Sequence, residues 1–318
     1  MKQNFAVLGA GNGGQVISAY LKLCGKHVTL YDRFPQVLAP IRARGGIQLE
    51  GVSKTGFAKL DQICEDVAQA VDGAEIIFVV LPAFAHAYVA QELAGCLVDG
   101  QTVVVCPGAT GGALEFRAIW DRAGCRSKVR LCETNSLFYA ARAQDAVATI
   151  SGVKDELSLA ALPAQDTQAI IDDLSDVYPQ LIPAANVLET SLNNMNTVVH
   201  PLPVLLNAGS IERGEKFRHY FDGITPAVGE VVEQMDQERV AVGRAYGLDI
   251  LSLRDAYIHY YHVQAEKMSE LCHMSQAHAN IMAPGVLDSR LIVEEPVYDE
   301  FCEKFTAYAG TMKVGDPH

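Results

Sequence analysis

The chain has 318 residues, enough for two domains, and its 49% apolar and 20% charged content excludes a disordered protein. A net charge of −13 disfavours a nucleic-acid or anionic-membrane partner, since both need a basic face. The eight cysteines form no C-x-x-C pair and no zinc-ligand spacing with histidine, so buried free thiols and no metal are expected. The chain shows no signal-peptide pattern and no apolar run long enough to span a bilayer, so the expected location is cytoplasmic.

Phe5 to Leu8 form a short apolar strand, and Gly9, Gly11 and Gly14 follow at G-x-G-x-x-G spacing before an amphipathic helix pattern. Gly9 permits the tight turn, Gly11 lets the backbone approach a pyrophosphate, and Gly14 allows close helix–strand packing. The next strand, HVTLYD, ends in Asp32, placed to accept hydrogen bonds from the adenosine ribose. This pattern implies a dinucleotide on the helix N-terminus, held by Gly9, Gly11, Asn12, Gly13, Gly14 and Asp32. Asp32 repels a 2′-phosphate and favours NAD. Arg33 suits either stacking on adenine or pairing with a 2′-phosphate, which keeps NADP open.

After a helix around FPQVLAPIRARG, the segment IQLEGVSKTGFAKL reads as an inserted hairpin. Helix EDVAQAVDG leads to the strongest strand, AEIIFVVLP, whose Pro82 counts among the expected cofactor contacts. Helix HAYVAQELAGCL, strand QTVVVCPG, helix ALEFRAIWDRAG and strand VRLCETN follow. PGATGG, containing Gly108, is a glycine-rich turn at a strand end: either a plain tight turn or a contact with the nicotinamide half. Apolar strands alternating with helices imply a parallel sheet covered on both faces. VATISGV and LSLAALP are expected to extend this sheet, before helix TQAIIDDLSDVYP. Arg142, in ETNSLFYAAR, suits either a substrate carboxylate held bidentately or a surface ion pair.

From about Val187 the texture turns helical, in long stretches: VLETSLNNMNTVVHPLPVLLNAGSIE, TPAVGEVVEQMDQERVAVGRAYG and LSLRDAYIHYYHVQAEKMSELC. The fold class is therefore α/β, a Rossmann-type doubly wound parallel sheet over residues 1–184 followed by a mostly α-helical domain over residues 185–318. Within the first helical stretch, Asn196 and His200 are four residues apart and share a face, whereas Asn194 and Asn196 do not. Two readings stand: a helix cap with a satisfied core histidine, or His200 as general acid and base with Asn194 or Asn196 anchoring substrate. Pro201 and Pro203 are expected to end the helix and leave His200 at an element end. The stripe Tyr257, His259, Tyr260, Tyr261 and His262 suits core or interface better than a site.

At this point the chain resembles the opine dehydrogenases, the octopine and nopaline dehydrogenase group, in LGAGNGG, LYD, CPGATGGALEFR, ETNSLFYAAR, TSLNNMNTVVHPLPVLLNAG and FDGITPAVGEVVEQMDQERVAV. The resemblance implies NAD(P)H-dependent reductive condensation of an amino acid with a 2-oxo acid such as pyruvate, in a cleft between a Rossmann-type and a helical domain. It implies His200 as the catalytic histidine, paired with a carboxylate from LDSRLIVEEP, where Arg290 and Glu295 are the matching positions and Glu295 stands in place of the usual Asp. The likeness fades after about Glu295, so a shortened helical domain is expected. The expected partners are small-molecule substrates and a second copy in a homodimer, with no nucleic acid and no membrane. Two other readings fit a Rossmann domain with a helical partner. One is a ketopantoate-reductase-like or 3-hydroxyacid dehydrogenase acting on a plain ketone, against which stands the lack of any lysine between Lys154 and Lys216. The other is a non-catalytic dinucleotide-binding protein.

Overall fold

The computed structural model describes residues 2–283; the expected site residues Arg290 and Glu295, and Cys302, lie outside the described residues. The strand-rich half runs β1 (Asn4–Leu8), α1 (Asn12–Leu23), β2 (His27–Tyr31), α2 (Pro35–Arg44), β3 (Ile47–Gly51), β4 (Gly56–Ala58), β5 (Gln62–Cys64), α3 (Val67–Val71) and β6 (Ile76–Val79). It continues with α4 (His86–Ala94), β7 (Thr102–Val105), α5 (Gly112–Ala123), β8 (Arg130–Thr134), β9 (Tyr139–Gln144), β10 (Val147–Val153), β11 (Leu157–Leu162), α6 (Thr167–Leu174) and β12 (Leu181–Pro183).

The main sheet has the order β12-β11-β8-β7-β6-β1-β2-β5. It is parallel from β5 to β8, with β11 antiparallel to β8. Side chains alternate across each strand, so every strand feeds two cores. Phe5, Val7 and Phe78 pack with Val16 and Ile17 of α1 on one face, and Ala6, Leu8, Ile77 and Val79 with Phe116 and Trp120 of α5 on the other. Each such fully buried large side chain contributes roughly 1.5–3 kcal/mol. The chain leaves β1 towards β2 and returns on the other side of β1 to β6. The carboxyl ends of β1 and β6 therefore flank the topological switch point, where open α/β sheets form their ligand crevice.

One strand departs from the sequence-based expectation. VATISGV, now β10, does not extend the main sheet; it joins a second sheet of order β4-β3-β10-β9 that packs against α1. The cause is local: Asp145 and Ala146 adopt left-handed φ values of 50° and 60°, the geometry of a two-residue hairpin, which folds β10 back onto β9. The β3–β4 hairpin is present as expected and supplies the other half of that sheet, while LSLAAL extends the main sheet as β11.

Beyond β12 the described chain is helical: α7 (Val187–Leu192), α8 (Asn196–Val199), α9 (Pro201–Leu206), α10 (Ala208–Glu212), α11 (Pro226–Ala245), α12 (Leu253–Tyr261) and α13 (Met268–Met274). Of the three long stretches read from the sequence, the second forms one helix, α11, and the other two are broken. The first becomes four short helices, because Asn193 and Asn194 divert backbone bonding and Pro201 cannot continue a helix. The last splits at His262, which ends α12 in a left-handed conformation with φ 53°. Val198, Val199, Tyr220, Val232, Leu253, Tyr257 and Leu271 form the core of this half. Among the described residues no helix is long and apolar enough to cross a membrane.

Candidate active site

The β1–α1 turn forms a cradle. Gly9 donates its N–H to the Tyr31 carbonyl (2.8 Å) and holds φ at 110°. A Cβ on Gly9 would overlap the Val80 carbonyl, and one on Gly14 would overlap the Gly9 carbonyl. Gly13 is tightly packed too, since an added Cβ would lie 3.1 Å from Val80 Cγ1. Beside Gly11 the space is open: a Cβ there meets nothing within 4 Å. No side chain caps α1, so its first N–H groups and the positive end of its dipole face that space. The arrangement fits a pyrophosphate.

Asn12 accepts the Ala143 N–H (2.8 Å) and so ties the start of α1 to β9. Asp32, 8% exposed, accepts the Ala10 N–H through Oδ2 (2.8 Å) and the Phe34 N–H through Oδ1 (3.0 Å). The carboxylate thus orders the cradle and keeps further lone pairs for a ribose. Arg33 is exposed, its guanidinium 4.4 Å from the Tyr88 ring centroid and 5.2 Å from that of Phe34. Pro82 opens the turn after β6, at the crevice.

At the next strand ends a buried carboxylate joins the two halves of the molecule. Glu133, fully buried at the end of β8, accepts the Ala113 N–H (2.7 Å) through Oε2 and the Thr190 and Ser191 hydroxyls (2.7 and 2.9 Å) through Oε1. Ser191 accepts the Gly111 N–H in turn (2.9 Å). Burial pushes the Glu133 pKa up, against the three hydrogen bonds that pull it down. Gly108 is a glycine for this reason: a Cβ there would sit 2.5 Å from the Glu133 carboxyl carbon. The PGATGG turn is thereby bonded to α7, which leads directly into α8 and His200.

His200 stands between α8 and α9, with φ −101° and ψ −60°, and Pro201 begins α9. One side of the residue is open to solvent; on the other, Nε2 meets the Tyr220 hydroxyl at 2.8 Å. His219 lies 5.6 Å away, centroid to centroid, and its Nε2 is 2.9 Å from the Val199 carbonyl, which makes that nitrogen a donor. Tyr220 stacks on His278 at 4.3 Å, and Tyr261 meets His278 edge-on at 4.7 Å. The surrounding protein, and secondarily His219, push the His200 pKa down to about 4. Burial does the same to His278, also to about 4. His200 is therefore an uncharged imidazole at neutral pH. Although three histidines gather here, no group of His, Cys, Asp and Glu among the described residues forms a metal-ligand set.

Of the two asparagines, Asn194 is buried and lies just before α8, its Oδ1 accepting the Asn196 N–H (3.1 Å); Asn196 is exposed, and its carbonyl accepts the His200 N–H (3.3 Å). Arg142 is not drawn into this cluster among the described residues. It sits on the exposed side of β9 and donates to the Ala141 carbonyl (2.8 Å).

Opine dehydrogenase from Arthrobacter sp. (strain 1C) is 37% identical to this chain over 294 residues, covering 92% of the chain and 82% of that protein. The chain belongs to the opine dehydrogenase family. In this opine dehydrogenase family member, residues 183–298 match NAD/NADP octopine/nopaline dehydrogenase, alpha-helical domain, and residues 4–111 match the NAD-dependent glycerol-3-phosphate dehydrogenase N-terminus. It is thus an NAD(P)-dependent oxidoreductase of the class acting on CH–NH donors. The fold is shared with octopine dehydrogenase solved with NADH and L-arginine (TM-score 0.71, 19% identity, 89% of this chain and 76% of that one). It is shared also with NADP+-bound yersinopine dehydrogenase (TM-score 0.73, 15% identity, 89% and 79%).

Sequence reasoning singled out His200 as a candidate but did not foresee its surroundings. Tyr220, His219 and His278 come from segments 19 to 78 residues downstream with no spacing relative to His200, and only tertiary packing brings them there. Glu133 carried a usable signal: a carboxylate within an apolar strand, VRLCET, needs buried partners. Helical spacing puts Tyr257 and Tyr261 of the tyrosine stripe on one face, where they touch each other (4.9 Å) and both pack on His278.

Proposed function

We propose that this enzyme condenses the amino group of an amino acid with the carbonyl of a 2-oxo acid such as pyruvate and reduces the resulting imine to a secondary-amine dicarboxylate, with His200 as general acid and base. On this reading residues 1–184 bind the dinucleotide and residues 185–318 supply the substrate side. The observation that carries it is the geometry of His200, open on one side and held by Tyr220 on the other, one short helix beyond the serine that binds the PGATGG turn. The nicotinamide cofactor supplies the hydride. Gly9, Gly11, Gly13 and Gly14 cradle its phosphates, and Gly108 and Pro82 line the crevice.

His200, uncharged at rest, accepts a proton from the substrate ammonium, which frees the amine lone pair for attack on the oxo carbon. It returns that proton to the carbinolamine hydroxyl, which departs as water. Substrate carboxylates nearby favour the imidazolium and raise the pKa above its value in the free enzyme. Binding the two substrates beside the histidine removes the entropy cost of their encounter. Asn194 and Asn196 border the site, and Arg290 and Glu295 are assigned to it through the family pattern.

Asp32 directs selection towards NADH, since a carboxylate facing a dianionic phosphate costs on the order of 1–3 kcal/mol. Calorimetric titration should show NADH bound more tightly than NADPH; NADPH bound tenfold tighter would transfer the adenosine contact to Arg33. The reading carries a cytoplasmic location, in keeping with seven free cysteines among the described residues. It also carries assembly as a homodimer, which sedimentation tests. The decisive assay mixes enzyme, NADH, pyruvate and a pool of amino acids and follows absorbance. NADH consumption that needs both substrates supports the proposal. Consumption with pyruvate alone points to ketone reduction, and NADH binding without turnover to a non-catalytic protein.

A further inference from the structure

Lys154 stands in the turn between β10 and β11, its N–H bonded to the Phe138 carbonyl (3.1 Å). Two residues on, Glu156 pairs with His259 of α12 (3.6 Å), so this turn of the strand-rich half lies against the helical half. The Lys154 ammonium is 5.2 Å from the Tyr260 ring centroid. From there the contacts lead to the reaction site: the next residue, Tyr261, packs on His278 (4.7 Å), His278 on Tyr220 (4.3 Å), and Tyr220 bonds His200 (2.8 Å). The Lys154 charge is near enough to help hold down the His278 pKa.

Lys154 is half-buried, yet among the described residues no carboxylate pairs with it and no acceptor takes a hydrogen bond from its ammonium. The face of a single tyrosine compensates a partly desolvated cation only weakly, by roughly 0.5–1 kcal/mol at exposed sites. Such a cation calls for an anion. Both reactants of the proposed reaction are carboxylates, and the product carries two.

Resting on that functional reading, we propose that Lys154 is a substrate-binding residue whose ammonium pairs with a substrate carboxylate at the junction of the two halves, with Tyr260 as the wall that orients it. Burial pushes the Lys154 pKa down, and an arriving carboxylate opposes that shift. A lysine rather than an arginine suits this place: a compact charge on a flexible stem follows a carboxylate that moves as carbonyl becomes carbinolamine, imine and amine.

The test compares wild type, Lys154→Met and Lys154→Arg, with Lys154→Gln in reserve should the Met variant fail to fold. Pyruvate is varied at saturating amino acid, and the amino acid at saturating pyruvate. The KM of the substrate whose carboxylate Lys154 holds should rise at least tenfold, the other should stay within about twofold, and Lys154→Arg should recover most of the loss. NADH affinity should not change. Which KM moves tells the oxo acid from the amino acid. A second arm needs no turnover: calorimetric titration of the NAD+-loaded proteins with iminodiacetate, the simplest secondary-amine dicarboxylate. Binding to wild type that weakens at least tenfold in Lys154→Met supports the role, even if wild type fails to turn over pyruvate with an amino acid and the functional reading falls. Unaltered KM values with unaltered iminodiacetate binding, or no iminodiacetate binding by wild type, would overturn it.

Discussion

Removing the Glu133 carboxylate should cost more than removing any surface charge, and the structure says how much. Glu133→Ala leaves the Ala113 N–H without its acceptor inside the protein. The Ser191 hydroxyl loses its acceptor as well, because its oxygen is already engaged by the Gly111 N–H and its proton is committed to Glu133. Thr190 is spared, since its hydroxyl also reaches the Val187 carbonyl (3.0 Å). Two orphaned groups at about 1–3 kcal/mol each, less the relief of no longer burying an acid, give about 2–5 kcal/mol. Glu133→Gln should cost about half as much, because its amide places one acceptor and one donor where two acceptors stood. A double-mutant cycle isolates the contact. Gly108→Ala in the wild type drives a Cβ against the carboxyl group and should destabilise strongly. In the Glu133→Ala background the carboxyl part of the obstacle is gone while the Cβ of residue 133 stays 2.6 Å from the added Cβ, so the Gly108→Ala penalty should fall only in part, by about 1 kcal/mol, a coupling of the size seen between touching residues. Urea unfolding monitored by circular dichroism measures all four proteins. A Glu133→Ala loss under 0.5 kcal/mol, or strictly additive effects, would refute Glu133 as the joint between turn, α5 and α7.

His200→Ala should lower turnover by about 10²–10⁴-fold with NADH affinity unchanged, and retention of a tenth of wild-type turnover would remove His200 from the chemistry. Tyr220→Phe keeps the stacking on His278 but deletes the hydroxyl at His200 Nε2, so kcat should fall about tenfold at constant KM; loss of thermal stability without that fall would mark Tyr220 as a packing residue only. His86 is fully buried, and burial pushes its pKa down to about 4. The unfolded chain, with an ordinary histidine pKa of about 6.5, therefore binds the proton that the folded state refuses, and stability should fall as pH is lowered from about 6.5 to about 4, by about 1.4 kcal/mol per pH unit for this residue. His86→Leu should make the slope shallower by that share, His200 and His278 keeping theirs, and an unchanged slope in urea titrations would show that His86 carries none of it.

How much of this was legible in the sequence follows from the range of the forces involved. The cradle was readable because its signals are local: Gly9 and Gly14 answer to backbone atoms within the β1–α1 turn and at the adjoining end of β6, and Asp32 ends the next strand. The parallel sheet was readable because strands buried on both faces are apolar throughout. The fate of VATISGV was not, because a strand's partner is set by the turn before it and by the face already covered, here by α1. The first and last long helical stretches misled for a related reason. Apolar periodicity reports which residues seek a core, not whether the axis stays straight. The His200–Tyr220 contact, between residues twenty apart on separate elements, has no counterpart in any spacing rule.

That broken stretch has a functional logic. As one helix, Val187 to Glu212 would run straight for about 39 Å, and His200 would be one rung of a regular ladder. Instead the axis breaks three times, and the first two breaks place His200. After α7 the Asn193 side chain accepts the Leu251 N–H (3.2 Å) and anchors the break to the chain entering α12. Asn194 then takes the N–H of Asn196, the first residue of α8, on its side-chain oxygen. At His200 the axis turns again, because Pro201 has no N–H to offer and its ring crowds the carbonyl four residues back. The histidine is left as the C-cap of one short helix and the N-cap of the next, with Tyr220 on one side and solvent on the other. Polar residues within an apolar stretch, and a proline that can only begin a new helix directly behind a histidine, break what would otherwise be one continuous helix. Such breaks are tolerated where they hold a reactive side chain in place.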